Sequence, residues 1–256
     1  MSSPSSFVAV VTGASSGLGE SLARELAARG NRVGLIARRR ERIESIANEL
    51  TQQGAKVVAV ATDVANRDGL SQAVETIRQQ LGPIDLMIAN AGLGLPDFID
   101  PFSVDDIEAM VRVNLLGLVY SVNAVLPEML ARKQGRFVGI SSMGAYNGMP
   151  GSGGYCGTNA AVNTFLKGLR IQLRGTGVAV TTVCPGFIRT PMTDANDFKM
   201  PWLLEPDVAA RMVLKAIDRG VRVYNFPWQL ATLTHVLQRL PDWCIAKWFP
   251  RKTDGR

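Results

Sequence analysis

The chain has 256 residues and a formal net charge of +6, enough length for one large α/β domain with a proper core. Its apolar and charged fractions, 46% and 20%, exclude a disordered or fibrous chain. The cationic balance suits nucleic acid, a membrane surface or an anionic cofactor, but the densest run, Arg38-Arg39-Arg40, reads as a solvated helix start, so no nucleic-acid partner is expected.

Residues 7–11 are a continuous apolar run, as in a strand buried on both faces. Residues 17–29 carry Leu18, Leu22, Leu26 and Ala27 at helical spacing, and Gly30-Asn31 ends that helix. The alternation then repeats. Further strands are expected at 32–37, 56–61, 84–89, 136–141, 178–183 and 221–226. Helices are expected at about 39–53, 67–81, 103–131, 153–174 and 206–219. Seven strands alternating with helices predict a doubly wound, seven-stranded parallel sheet of Rossmann type, with helices on both faces. Residues 1–226 read as one dinucleotide-binding domain and 227–256 as a C-terminal extension. Ligands of such sheets lie beyond the carboxyl ends of the strands, so the chemistry should follow residues 11, 37, 61, 89, 141 and 183.

Three scattered cysteines, Cys156, Cys184 and Cys244, form no metal-like spacing and point to a reducing compartment. The single histidine, His235, has no Cys or His beside it, so no metal site is expected. The start, Met1-Ser2-Ser3-Pro4-Ser5-Ser6, lacks the charged and apolar regions of a secretory signal. No apolar run reaches the roughly 18 residues that span a bilayer. The expected location is the cytoplasm.

The first expected strand runs into Thr12-Gly13-Ala14-Ser15-Ser16-Gly17-Leu18-Gly19. Gly13 permits the turn, Gly17 lets the backbone approach a pyrophosphate, and Gly19 lets the helix pack closely on the sheet. Ser15, Ser16 and Leu18 complete this phosphate loop. After the second strand, an acidic residue would bind the ribose 2′-hydroxyl of NAD. This chain has Ala37-Arg38 there instead, and a guanidinium matches a 2′-phosphate, so NADP(H) is the expected cofactor. Asp63-Val64 follows the third strand and is placed to touch the adenine; Asn90-Ala91-Gly92 follows the fourth and is placed to line the ribose.

These pieces, with Asn114, Ser141-Ser142, Tyr155 and Pro185-Gly186-Phe187-Ile188-Arg189-Thr190 in order and at these spacings, resemble the short-chain dehydrogenase/reductase family to about residue 225. The resemblance implies Tyr155 as general acid/base and Ser142 as the group positioning the substrate carbonyl. It implies that Asn114 holds a helix bulge and a water on the proton path. Pro185, Gly186, Ile188 and Thr190 would hold the nicotinamide. The chemistry agrees: hydride transfer to a ketone leaves an alkoxide, which a phenol can protonate while a serine hydroxyl shares its charge.

One position departs from the family. Its motif is Tyr-x-x-x-Lys, and here it reads Tyr155-Cys156-Gly157-Thr158-Asn159. Residues at i and i+4 share a helix face, ~6 Å apart. A lysine there would hold the ribose hydroxyls and lower the tyrosine pKa. The Asn159 amide can do the first and not the second. Three readings stay open: an engineered substitution, a natural reductase slowed by it, or a chain that binds NADP(H) without turnover.

The loop after residue 190 carries Met192, Phe198, Met200, Trp202, Leu203 and Leu204, and Leu93, Leu95, Met143 and Phe187 join it in suggesting an apolar carbonyl or alcohol substrate. Lid packing would give the same composition. In 227–256, Trp228, Trp243 and Trp248 accompany Leu230, Leu233, Leu237 and Leu240 at helical spacing, with Arg239, Lys247, Arg251 and Lys252. Such a tail either packs on its own domain or a partner subunit of a homo-oligomer, or makes a peripheral membrane contact.

Overall fold

A computed structural model describes residues 6–194 and 199–247; Phe198, Trp248, Arg251 and Lys252 lie outside the described residues. The chain's first strand, Val8–Thr12 (β1), is buried at every residue. It pairs in parallel with Arg32–Ala37 (β2) on one side and Leu86–Ala89 (β4) on the other. Val57–Ala61 (β3) extends the sheet beyond β2; Gly135–Ile140 (β5), Val178–Pro185 (β6) and Val223–Phe226 (β7) extend it beyond β4. The order is β3-β2-β1-β4-β5-β6-β7, all parallel. The chain therefore reverses its direction of travel between β1 and β4, and a crevice opens at their carboxyl ends.

Alternate residues of β1 feed opposite cores. Ala9 and Val11 face Gly17–Ala28 (α1), Arg40–Gln52 (α2) and Pro206–Asp218 (α7), where Leu22, Leu26, Ile43 and Leu214 pack. Val8 and Val10 face Arg67–Leu81 (α3), Gly117–Arg132 (α5) and Gly153–Gln172 (α6), through Leu70, Ile77, Val122 and Leu166. Each such side chain contributes ~1.5–3 kcal/mol by leaving water, which explains the apolar runs of β1, β3 and β4. The sheet and its two-sided cover match the expected fold class.

Two differences from the sequence reading have local causes. The helix expected at 103–131 is Val104–Met110 (α4), a π-helical segment Val111–Leu116 around Asn114, where the resemblance implies a helix bulge, and α5. The extra residue per turn swings Asn114 inward, where it is buried and bonded to Leu93 and Thr158. The last strand begins at Val223 rather than 221, because the Val221 N–H closes the end of α7 on the Ala216 carbonyl at 3.0 Å. By length and composition alone, the helical stretch 104–132 could span a bilayer. Leu118, Val122, Val125 and Met129 instead bury their side of this helix against α3 and the sheet.

After β7 the chain forms Trp228–Leu237 (α8) and Asp242–Ala246 (α9). Helix α8 packs on β7 and on the 3-10 turn Met143–Tyr146 that follows β5. No residue of α9 is buried.

Candidate active site

The glycine loop between β1 and α1 is held by steric necessity. Gly13 has φ +67° and Gly17 has φ +55°, a region L side chains avoid. A methyl group on Gly13 would stand 2.8 Å from the Ala91 Cα; one on Gly17 would stand 2.7 Å from the Thr190 Cγ2. One on Gly19 would overlap the Gly13 carbonyl oxygen. The loop thus gathers the segments that follow β1, β4 and β6. Buried Thr12 locks the first two together: its Oγ1 accepts from the Asn90 and Ala91 N–H groups at 3.0 and 3.1 Å, and its carbonyl accepts from Asn90 Nδ2 at 3.0 Å. Helix α1 opens at Ser16 with no side-chain cap on its first turn, leaving N–H groups aimed at the loop.

Arg39, not Arg38, reaches this loop. Its Nε and Nη2 donate to Ser15 Oγ at 3.1 and 2.8 Å, and Nη2 also donates to Ser16 Oγ at 2.6 Å. Arg38 is 68% exposed and faces Asp63 Oδ2 across 3.8 Å. The run that reads as a solvated helix start in sequence therefore places one guanidinium on the two loop serines. Asp63 Oδ1 accepts from the Ala65 N–H at 2.9 Å, while buried Val64 packs beside Gly117.

Ser142 and Tyr155 meet at the carboxyl end of β5. A methyl group on Gly144 would touch both Ser142 Oγ and Tyr155 Cε1, each at 3.5 Å. Ser142 caps the turn Met143–Tyr146, accepting from the Gly144 N–H at 3.1 Å. That bond occupies a lone pair and leaves the Ser142 hydroxyl proton free to donate. The N-terminus of α6, which carries Tyr155, is held by Asp97, whose carboxylate accepts from the Gly153 N–H at 2.9 Å and from the Gly154 N–H. Asn114 Oδ1 accepts from the Leu93 N–H at 2.7 Å, and its Nδ2 donates to the Leu93 carbonyl at 2.9 Å and Thr158 Oγ1 at 3.0 Å. It thereby ties the π-helical segment to the β4 loop and to α6, one turn from Tyr155.

Asn159 is buried and folds back on its helix: Nδ2 donates to the Tyr155 carbonyl at 2.9 Å, and its own carbonyl accepts from Ser141 Oγ at 3.3 Å. One amide hydrogen and Oδ1 remain for other partners. Burial pushes the Tyr155 phenol above its ordinary value of 10.0; the Ser142 hydroxyl pulls it down, the Cys156 thiol pushes it up, and the Asn159 amide adds a smaller pull downward. None of the groups that set this balance is a cation.

The stretch from Pro185 to Thr190 is braced on both flanks. The Gly186 N–H donates to the Phe226 carbonyl at 2.7 Å, and a methyl group on Gly186 would stand 2.6 Å from the Leu230 Cδ2 of α8. Buried Ile188 bridges to Leu204, and its carbonyl accepts from Thr193 Oγ1 at 2.7 Å. The Thr190 N–H donates to the same Thr193 Oγ1 at 2.9 Å. Met192 and Trp202 are exposed; Gly94 lies between the Met192 sulfur and the Tyr155 ring. Leu93, Leu95 and Phe187 are half-buried and Met143 is buried.

Helix α8 is fastened to the serine turn. Asn147 Nδ2 donates to the Thr234 carbonyl at 3.1 Å, and Tyr146 donates to Asn225 Oδ1 at 3.1 Å. Asn225 Nδ2 lies 3.3 Å from His235 Nε2, and the Tyr146 and His235 rings meet edge to face at 4.8 Å. Burial pushes the Tyr146 phenol up to about 12. Sequence reasoning missed this cluster, because Tyr146, Asn225 and His235 share no motif and only the fold joins them. Among the described residues, no group of acidic, Cys and His side chains could hold a metal ion.

A doubly wound parallel sheet with a glycine loop after its first strand, and a serine–tyrosine pair at its carboxyl edge, defines a dinucleotide-binding α/β protein. Comparison with known proteins makes this specific. Residues 7–200 match the family model for short chain dehydrogenases. The chain is 38% identical over 234 residues to an uncharacterized oxidoreductase of Myxococcus xanthus, covering 91% of this chain and 92% of the relative. Among solved structures it is similar to an alcohol dehydrogenase of the archaeon Thermococcus sibiricus complexed with 5-hydroxy-NADP, at 31% identity and TM-score 0.77 over 86% of this chain and 94% of that one. It is also similar to a variant of actinorhodin polyketide ketoreductase with NADPH, at 29% identity and TM-score 0.79 over 86% of this chain and 95% of that one. The chain belongs to the short-chain dehydrogenase family, and its activity class is that of an oxidoreductase.

Proposed function

We propose that this chain is an NADP(H)-dependent oxidoreductase that interconverts a carbonyl and an alcohol on an apolar small molecule, and that it works as a slow reductase. The observation that carries this reading is the Tyr155–Ser142 pair at one mouth, with an uncharged Asn159 where a cation would tune the phenol.

The residues present fit the dinucleotide. The Gly13, Gly17 and Gly19 cradle has no room for side chains, and α1 offers its N-terminus to the pyrophosphate. Arg39, with Ser15 and Ser16 and with Arg38 beside it, suits the 2′-phosphate. Asp63 and Val64 would border the adenine, Asn90, Ala91 and Gly92 the ribose, and Pro185, Gly186, Ile188 and Thr190 the nicotinamide. The NADP complexes of the two similar structures support the same preference. When bound, NADPH supplies the hydride.

The chain's own residues handle the proton. The Ser142 hydroxyl donates to the carbonyl oxygen and shares its growing charge. Tyr155, held neutral by burial, donates its proton to that oxygen. Asn114 stiffens the π-helical segment and the Leu93 loop around this path. Asn159 can hydrogen-bond a ribose hydroxyl but supplies no positive charge to stabilise a phenolate. Tyr155 is thus a usable acid and a poor base, so reduction should outrun oxidation. The half-buried Leu93, Leu95 and Phe187 under the exposed Met192 and Trp202 favour an apolar substrate. Residues 1–226 serve as the cofactor domain and 227–256 as its C-terminal extension, and the exposed Phe102 just before α4 and Val104 at its first position suit contact with a second copy.

NADPH fluorescence titration beside a panel of apolar ketones tests the reading on this chain and on Asn159→Lys. Binding with slow turnover, faster in the variant, is expected. The second reading, favoured by Asn159 alone, is an NADP(H)-binding protein without catalysis; it requires tight binding and no turnover in either form.

A further inference from the structure

Exposed large apolar side chains crowd the rim of the site. Ile99 follows β4, Met192 and Trp202 follow β6, and Trp228, Val236, Leu240 and Trp243 follow β7; all are exposed. Strand topology puts all three segments at the carboxyl edge of the sheet. Helix α8 is two-faced. Leu230 and buried Thr234 turn toward Gly186 and Asn147, while Trp228, Thr232 and Val236, one helical turn apart, share the opposite, exposed face. Trp228 is 72% exposed and Trp243 63%, values that a monomer in water has no reason to concentrate in one extension.

We infer that the outer face of α8 and α9 docks on an anionic lipid surface, setting the mouth of the site against the bilayer. Three observations select lipid. First, the exposed tryptophans are interleaved with cations: Lys247 lies 4.9 Å over the Trp243 ring, and Arg239 follows α8. Aromatic rings with flanking Lys and Arg suit the headgroup layer. Second, Arg239 and Lys247 border these tryptophans against the single acidic Asp242 among the described residues of the extension, and the sequence 248–256 adds three cations to one acidic residue. That charge complements acidic headgroups. It disfavours a second copy of this chain, because a two-fold contact on this face would bring Arg239 and Lys247 toward the same cations of the other copy. Third, no residue of α9 is buried, and its Trp243, 63% exposed, is open to a surface outside the chain. The inference rests on this surface and is independent of the chemistry at Asn159.

The test is co-sedimentation of the full chain with vesicles of phosphatidylcholine alone and of phosphatidylcholine mixed with phosphatidylserine. The native chain should sediment with the acidic vesicles only, and less as salt is raised. The double variant Trp228→Ser, Trp243→Ser should partition about tenfold more weakly, with its NADPH titration unchanged as proof of folding. A native chain that stays in the supernatant with acidic vesicles overturns the inference. So does a folded double variant that sediments like the native chain. Lipid-free self-association of the native chain that the double variant abolishes, seen by light scattering, assigns the face to a second copy and also overturns it.

Discussion

The phosphate loop and the proton-transfer corner are built on opposite principles. Around Gly13, Gly17 and Gly19 the backbone itself is the binding surface, and each position is fixed by what an added carbon would strike: Ala91, Thr190 and the Gly13 carbonyl. Around Tyr155 the working groups are side chain tips, and nothing steric specifies their neighbours. Asn159 sits there buried and fully compatible with its helix, bonded to the Tyr155 carbonyl. A side chain added to the first region strains the backbone that carries it; a residue that weakens the second need not strain anything. On the proposed function, cofactor binding is therefore over-determined in this chain, while proton transfer would turn on the charge of one neighbouring side chain.

Tyr155→Phe breaks the contrast most severely. Removing the proton donor should lower carbonyl reduction by ~10²–10⁴ while the NADPH dissociation constant stays the same, which steady-state kinetics and fluorescence titration measure together. Equal loss of binding and turnover would merge the two regions into one. Next is Arg39→Ala. Loss of its bonds to Ser15 and Ser16 and of a charged contact to a 2′-phosphate should cost NADPH about ten- to a hundredfold in affinity, with NADH little changed. Arg38→Ala, at an exposed residue across 3.8 Å from Asp63, should cost less; the reverse ranking would return the phosphate to Arg38.

Gly17→Ala probes the steric side. The φ of +55° and the approach to Thr190 make the loop shift, and a strain of ~1–2 kcal/mol should weaken both dinucleotides by about tenfold. Unchanged affinity would show that the loop has slack. The smallest effect belongs to Asn225→Leu, which leaves the Tyr146 hydroxyl without its 3.1 Å partner and removes the bond to His235. A loss of ~1–3 kcal/mol in stability is expected, visible as a lower Tm, with NADPH affinity retained.

The same contrast decides what could be read without coordinates. The sheet was legible because β1 is buried on both faces and announces it in an apolar run, and because the alternation of strand and helix patterns repeats after it. The glycine loop was legible because backbone geometry demands glycine at fixed spacing. The π-helical turn at Val111–Leu116 has no local signature in the residue pattern; the family resemblance alone pointed to it, through the helix bulge it implies at Asn114. Arg39 was passed over because three adjacent arginines look alike until the fold turns one of them back onto Ser15. The fastening of α8 through Tyr146, Asn225 and His235 joins residues up to 89 apart in sequence and has no local signature.

The most direct test of the missing charge is the pH dependence of turnover in both directions for the native chain and for Asn159→Lys, with NADP(H) saturating. Burial holds the Tyr155 phenol above 10.0, so it stays protonated through the neutral range. Native reduction should be flat there, and native oxidation, which needs the phenolate, should climb with pH toward 10 and beyond without a plateau. With lysine at 159, oxidation should plateau at lower pH and turnover should rise by about tenfold or more, as each unit of lowered pKa is worth about 1.4 kcal/mol. Profiles that superimpose, with no gain in turnover for a variant that binds NADPH as the native chain does, would contradict the account.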